Sequence, residues 1–331
     1  MDLTRALDVL IICAPVFAVM GLGTLLRHKG HLNDGHCSFI NWLVYHFSLP
    51  ALIFNAAARQ QFKSFFDPAL ILIPLLALAV IVTISMLIVK LKGFKGGVAA
   101  VFVYGTFWAN ATYVGFPLCI NAFGETGEVK AAIYNAFVVP FFILVGYLLI
   151  GFYGAGEGDA KIGARIRKAF LNPVLLSAVA AIIVALIADP FRSDAGVLEL
   201  PAPVLAVAKL TGAFLKMIGS MGLPLALLAI GASLKWEQSK KHLGAISWTV
   251  GCKLVLLPLL TLILIRQFYP EADPASLGSA VILASTPSAV ACYVISCQLG
   301  IEKAFVATML VVSTGLSVLT IPIWVYVVKG F

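Results

Sequence analysis

Polar and helix-breaking residues are concentrated in the stretch NATYVGFPLC, which lies inside the otherwise apolar run 98–123. The stretch contains an amide side chain, Asn110, a hydroxyl, Thr112, and the helix breakers Gly115 and Pro117. Proline removes a backbone N–H donor and clashes with the preceding turn, so backbone groups near it lose their helical partners. Free N–H groups at the start of a helix attract anions. The chemistry that this stretch predicts is therefore the binding of an anion.

A second interruption of the same kind occurs in the apolar run 277–299, where Thr286, Pro287 and Ser288 follow one another. Unpaired backbone is tolerated at membrane depth only where protein or a water-filled cavity satisfies it. If the two interrupted helices cross, their free amides and positive dipole ends meet near the bilayer midplane and favour an anion. The alternative is that each interruption is a packing kink that holds no ligand.

The composition places these residues in an all-α membrane protein. Of the 331 residues, 61% are hydrophobic and 11% are charged, which leaves too little polar surface for a water-soluble globule of this length. A transmembrane helix needs about 20 predominantly apolar residues. Runs that meet this requirement predict ten transmembrane helices, at 9–26, 38–58, 69–91, 98–123, 131–153, 171–188, 210–233, 243–266, 277–299 and 304–328.

The ten predicted spans divide into two sets of five. The segment 154–170 is rich in glycine and charge, and it predicts a linker between a first five-helix repeat, 1–153, and a second, 171–331. The second span of each set contains Leu-Pro, at Pro50 and Pro224, and the fourth contains an interrupting proline. Two related sets with an odd number of spans insert in opposite orientations, as in inverted-repeat secondary transporters. Proline is also frequent in membrane helices, which is the alternative explanation of these matches.

Charge predicts the orientation and the location. Loops that follow odd-numbered spans carry more Lys and Arg than the termini and the loops that follow even-numbered spans. Because positive loops remain in the cytoplasm, we expect a multi-pass protein of the cell (inner) membrane with both termini extracytoplasmic and the linker cytoplasmic. The basic residues form no basic helix or aromatic-interleaved patch, so the expected partner is the lipid bilayer and not a nucleic acid.

The two interrupted stretches resemble motifs of the auxin efflux carrier family. The string NATYVGFPL, which begins at Asn110, is similar to the fourth-helix motif N-x4-G-I-P-L of the plant PIN-type members. The string TPSAVACYVISCQLG, which begins at Thr286, resembles their ninth-helix crossover segment. The ten spans, the central loop and the end of the chain agree with bacterial members, so the resemblance covers essentially the entire chain.

The resemblance implies a fold and a function. The fold is a crossover fold like that of sodium/proton antiporters, in which the broken helices 4 and 9 cross between two inverted repeats. Helices 1, 2, 6 and 7 form a scaffold, through which a homodimer is a further expectation, and helices 3–5 and 8–10 form a transport domain. The implied function is secondary transport of a small organic anion by elevator-type alternating access. The anion is auxin in plants and a carboxylate such as malonate or malate in bacteria.

Matched position by position, Asn110 and Pro117 correspond to substrate-facing crossover residues, and Pro287 corresponds to the first proline of the ninth-helix motif. Cys292 stands where PIN carriers have a second proline, and Cys-Gln stands where they have Lys-Glu just before the helix ends. The long plant loop is absent. These differences argue against auxin as the substrate and against a coupling scheme borrowed from the plant carriers.

Three polar residues outside the two interruptions are also candidates. Lys253 lies near the middle of the eighth span, and three interpretations of it are open. It attracts a carboxylate, it pairs with half-helix carbonyls, or it snorkels or bridges helices in the way of other membrane lysines. Asn55 lies in the second span beside Pro50. Asp67 opens the third span, where PIN carriers have an acidic residue, and helix N-capping explains it equally well. The candidate substrate-binding residues are Asn110, Thr112, Gly115, Pro117, Thr286, Pro287, Ser288, Asn55 and Lys253, with Asp67 in a coupling or supporting role.

Other functional classes lack the residues that they need. A sodium/proton antiporter needs carboxylates in the crossover, and neither interrupted span contains one. A membrane enzyme needs a catalytic set, and the spans contain no G-x-S-G, paired G-x-G-D or D-x-x-D motif. We expect no cofactor and no metal, because His28, His31 and His36 do not have the spacing of a standard metal site. The alternative to a transporter is a membrane-embedded sensor or receptor that uses the same site without translocation.

Overall fold

The computed structural model describes residues 3–58, 67–153, 173–191, 200–233, 242–289, 291–293, 296 and 301–330. Within these residues the regular structure is helical, and an isolated β-bridge is the one exception. The predicted linker 154–170 lies outside the described residues. In chain order the α-helices are α1 Leu3–His28, α2 Asp34–Leu43, α3 Leu49–Ala58, α4 Pro68–Lys92, α5 Gly96–Phe107, α6 Phe116–Phe137, α7 Val139–Phe152, α8 Pro173–Ala188, α9 Ala202–Ser233, α10 Leu243–Gly251, α11 Leu257–Phe268, α12 Pro274–Ser285 and α13 Lys303–Lys329.

Six helical stretches of the described chain are long and apolar enough to cross a membrane: Asp34–Asn55, Pro68–Lys92, Ala111–Phe152, Ala202–Ala232, Leu243–Phe268 and Lys303–Lys329. Four shorter apolar helices accompany them, at Ile12–His28, Gly96–Phe107, Val179–Phe191 and Pro274–Ser285. The all-helical, multi-pass character expected from composition is thereby confirmed. The total of ten spans and their inverted repetition stay predictions.

In the described part of the chain three π-helical turns interrupt the helices, and each lies just before a proline. The turns are Val44–Ser48, Ala111–Gly115 and Cys252–Leu256. Each ends two residues before a proline. The proline ring would clash with the carbonyl one turn earlier in a regular α-helix, and the wider turn moves that carbonyl away. Pro224 lies instead within the continuous helix α9. The Leu-Pro pairs of the second and seventh spans therefore have different local structures.

The helices α1, α2, α3, α8 and α9 pack on one another. Glycines allow two of their backbones to touch: a Cβ at Gly23 would lie 2.1 Å from the carbonyl oxygen of Leu228, and one at Gly231 would lie 1.8 Å from that of Met20. The hydroxyl of Thr24 donates to the carbonyl of Gly231 at 2.9 Å. Close backbone approach of this kind is typical of tightly held membrane helix pairs.

The helices α4–α7 and α10–α13 form a second group, in which α12 packs on α6, α11 and α13, and α4 packs on α5 and α11. Within this group α6 turns sharply at Gly124, whose φ of 61° lies in the left-handed region that favours glycine. A Cβ at Gly127 would lie 2.0 Å from the carbonyl oxygen of Cys119, so the chain on the two sides of the turn is in contact. The turn separates the continuation of the predicted fourth span from the start of the fifth.

Candidate functional site at two paired helix breaks

The two interrupted segments pair with each other through their backbones. The N–H of Asn110 donates to the carbonyl of Pro287 at 2.8 Å, and the N–H of Ala289 donates to the carbonyl of Trp108 at 2.9 Å. Between these two bonds lies an isolated antiparallel β-bridge. Two N–H groups and two carbonyls that the breaks release from their helices are thus satisfied by the other break, in line with what a membrane interior requires.

The paired breaks are deeply buried. Asn110 is 3% exposed, Thr286 is completely buried and Ser288 is 1% exposed. The short helices α5 and α12 end at this point, where Phe107 and Ser285 are their last residues. The site therefore consists of helix ends and extended backbone enclosed by protein.

Backbone and side-chain donors remain free at the start of the helix that follows Asn110. The N–H groups of Val114 and Gly115 both donate to the carbonyl of Asn110, each at 3.1 Å. The N–H groups of residues 111–113 donate to no acceptor among the described residues, and neither does the side-chain amide of Asn110. Unpaired amides at a helix start carry the positive end of its dipole. This arrangement is suited to an anion that supplies the missing acceptors.

Thr112 is held by a neighbouring asparagine. Its hydroxyl donates to the Oδ1 of Asn135, and the Nδ2 of Asn135 donates in turn to the carbonyl of Ala131 at 2.8 Å. The second bond orients the amide so that Oδ1 faces Thr112. Thr112 therefore anchors the turn that carries the free amides, and it uses its own hydroxyl proton to do so.

Gly115 and Pro117 act through their shapes. A Cβ at Gly115 would lie 2.7 Å from the side chain of Leu283 and 3.1 Å from that of Thr286, so the missing side chain lets the two breaks approach. Pro117 lies in the first turn of α6, directly after the π turn Ala111–Gly115, and it has no N–H to donate to a carbonyl of that turn.

Thr286 and Ser288 satisfy the carbonyl ends of the two short helices. The hydroxyl of Thr286 donates to the carbonyl of Leu283 at 2.9 Å. The hydroxyl of Ser288 donates to that of Gly105 at 3.4 Å, and its N–H donates to the hydroxyl of Ser313 at 3.3 Å. Sequence reasoning missed Ser313, whose only signal is a small polar cluster, STGLS, in the last span.

Lys253 caps the end of α12. It lies in the π turn Cys252–Leu256, is completely buried, and its Nζ donates to the carbonyl of Ala284 at 2.6 Å. A cation at a helix C-terminus is stabilised by the negative end of the dipole. This bond pairs Lys253 with a half-helix carbonyl and also bridges two helices, and complete burial excludes snorkelling. Attraction of a carboxylate by Lys253 stays a prediction. No carboxylate of the described residues forms an ion pair with Lys253.

Asn55 and Asp67 form no hydrogen bond to the paired breaks among the described residues. Asn55 is buried in α3, at 7% exposure, and makes no hydrogen bond to them among the described residues. Asp67 caps α4 by accepting the N–H of Leu70, and it also accepts hydrogen bonds from Lys130, at 2.7 Å, and from the hydroxyl of Ser276. Asp67 thus joins α4 to the chain after Gly124 and to the start of α12. Burial raises the pKa of its carboxyl, but the bonds from Lys130 and Ser276 outweigh this and hold the pKa below its ordinary value.

We expect Asp67→Asn to lower thermal stability at neutral pH and to weaken the dependence of stability on acid. Because the pKa of Asp67 is lowered by folding, its charge stabilises the fold above the unfolded-chain pKa of about 4. That contribution disappears as the pH falls through the lower pKa of the folded protein. Thermal unfolding of the solubilised protein between about pH 3 and pH 7 measures the change. Asp34→Asn is the control, because the Asp34 side chain pairs with Arg27 while 65% exposed. Equal curves for Asp67→Asn and the unsubstituted protein would contradict the prediction.

A comparison with known families decides the class of the protein. The sequence profile of a family described as "Membrane transport protein" matches residues 8–325. The chain belongs to this membrane transport protein family. The resemblance to auxin efflux carriers is thereby confirmed, and this membrane transport protein is not an enzyme.

Two relatives match over almost their whole lengths. An "Uncharacterized transporter" of Methanothermobacter thermautotrophicus is 23% identical over 312 residues, which are 93% of this chain and 95% of the relative. A "Putative malonate transporter" of Rhizobium meliloti is 25% identical over 329 residues, which are 96% of this chain and 94% of the relative. The membrane transport protein described here is thus similar along its full length to proteins named as transporters.

Proposed function

We propose that this membrane transport protein is a secondary transporter of a small carboxylate, which binds at the paired breaks. The observation that carries the proposal is a set of donors without an acceptor among the described residues, namely the amide of the buried Asn110 and the N–H groups of residues 111–113. A carboxylate is acceptor-only, so it satisfies these donors with charge-assisted hydrogen bonds. Malonate is the first substrate to test, because one relative carries that name.

The charges around the breaks support an anion and argue against a cation. Neither interrupted span contains an acidic residue, whereas Lys253 places a buried ammonium group on the last turn of α12. The N-terminal dipole end after Asn110 and this ammonium contribute positive potential in a medium of low dielectric constant, against the negative C-terminal ends of α5 and α12. A bound organic cation would meet no compensating charge.

The helix packing supports the elevator-type mechanism and the inverted repeat in our proposal. The helices α1, α2, α3, α8 and α9 correspond to the predicted scaffold, and α4–α7 with α10–α13 to the predicted transport domain. Asn121 donates to the carbonyl of Ile12 at 3.0 Å across the boundary between the two helix groups, and a sliding movement of one group along the other must break this bond.

The proposal also includes extracytoplasmic termini and a homodimer formed through the scaffold. The surface of the scaffold has an open apolar groove of about 530 Å³ beside Phe47 and Phe214.

Uptake by proteoliposomes tests the function. We expect radiolabelled malonate to be accumulated and unlabelled carboxylates to compete, while the neutral diamide malonamide does not compete. Competition by malonamide equal to that of malonate, or a preference for an organic cation, would overturn the anion site. Saturable malonate binding without any uptake would favour the sensor or receptor. Empty liposomes are the control for passive entry.

A further inference from the structure

Among the described residues, one cation lies beside the paired breaks. No charged residue lies between Lys95 and Glu125 or between Asp273 and Glu302, the two intervals that contain the breaks. Lys253 reaches this region from another helix. Its ammonium group donates to the carbonyl of Ala284, which precedes Pro287 by three residues. The other donors of the site, the amides described above, are neutral.

The described residues around Lys253 supply no further charge. Its π turn packs against α5, α10, α11, α12 and α13. The titratable group that faces it is the thiol of Cys292, and α5 contributes Tyr104, whose hydroxyl is bonded to Ser296. Helix α12 contains no charged residue. The charged residues of α11 and α13 lie near the ends of those helices. The site thus offers one positive charge to a ligand.

We propose that the site accepts one negative charge, so that a dicarboxylic acid is bound and carried as its monoanion, with the second carboxyl protonated. This inference rests on the proposed function and specifies the ionic form of its substrate. A second carboxylate would be buried without a partner charge, and a buried carboxyl in that position takes up a proton instead. The protonated carboxyl is neutral and can donate a hydrogen bond to a backbone carbonyl.

The proposal accounts for proton movement without an acidic residue in the breaks. The proton enters on the second carboxyl of the substrate, crosses the membrane with it and leaves when the diacid ionises again on release. One proton and one net negative charge then move with each dicarboxylate. A monocarboxylate moves one negative charge and no proton.

Binding of three related compounds to the purified full-length protein in lipid nanodiscs tests the inference. Malonate has two ionisable groups, its monoamide malonamate has one, and its diamide malonamide has none. Because malonamate uses the same donors and the same lysine, the ratio of the two dissociation constants cancels pH effects on the protein. We expect the dissociation constant of malonate to rise relative to that of malonamate by about tenfold per pH unit above the second ionisation of malonic acid.

The outcomes separate this inference from the proposed function. A ratio that does not change with pH would overturn the single-charge inference and leave the anion site standing. Malonamide binding as tightly as malonamate, or no binding of either acid, would count against the proposed function itself. A second readout is the charge moved per molecule during uptake, which we expect to be equal for malonate and malonamate. Twice the charge for malonate would also overturn the inference.

Discussion

Asn110→Ala lowers the uptake of malonate at subsaturating concentration by about tenfold or more, while the amount of folded protein in the membrane is unchanged. Asn110 is 3% exposed and its side-chain amide has no hydrogen-bond partner among the described residues, so its removal breaks no hydrogen bond of the empty protein. A hydrogen bond to a charged group is worth about 1.5–3 kcal/mol, which corresponds to about 10- to 150-fold in affinity. The backbone bond from Asn110 to Pro287 is retained by alanine.

Asn41→Ala is the matched control, because Asn41 is a half-buried asparagine in α2 of the other helix group. Initial uptake rates in proteoliposomes, divided by the amount of reconstituted protein, give the comparison. Normal uptake by Asn110→Ala would mean that the amide only packs. Loss of folded protein would mean that it supports the fold and not the ligand.

Lys253→Met weakens malonate binding by roughly 30-fold and leaves the protein folded. Charges about 8–10 Å apart attract each other by roughly 2 kcal/mol at an effective dielectric constant of about 20, and this attraction is lost with the ammonium group. Methionine has a similar length and is apolar, so it fills the buried space without leaving a charge unpaired. The carbonyl of Ala284 loses its donor, which lowers stability by about 1–3 kcal/mol.

The affinity and the stability of this variant must be measured separately. Dissociation constants for malonate report the loss of charge, and thermal unfolding in the absence of ligand reports the loss of the helix cap. Lys216→Met is the control, because Lys216 is exposed on α9 and its replacement removes the same charge from the chain. Unchanged malonate affinity in a destabilised Lys253→Met would show that the lysine caps α12 and does nothing for the anion.

The residue pattern alone determined the membrane character and the places where helices break. An apolar run that crosses a bilayer must satisfy its own backbone N–H and C=O groups, and a helix does so. Composition is therefore enough to predict helices in a bilayer. Proline acts on its own preceding turn, so Pro117 and Pro287 mark breaks that are present in the structure. Proline does not interrupt every helix, since Pro224 lies within the continuous helix α9, which packs against α1 and α3.

The tertiary structure alone decided which atoms meet. The bond between Asn110 and Pro287 joins residues far apart in the chain, and a proline motif states that a carbonyl is released but not what will satisfy it. The sequence left the hydrogen-bond partner of Lys253 open, and the position of α12 supplied one by placing the carbonyl of Ala284 2.6 Å from the lysine Nζ. Asp67 acquired Lys130 as a partner only because α4 packs beside the chain that follows Gly124. Side-chain chemistry is local and is read from the sequence, whereas partners across helices follow from packing, which fixes which donors are consumed and which remain for a ligand.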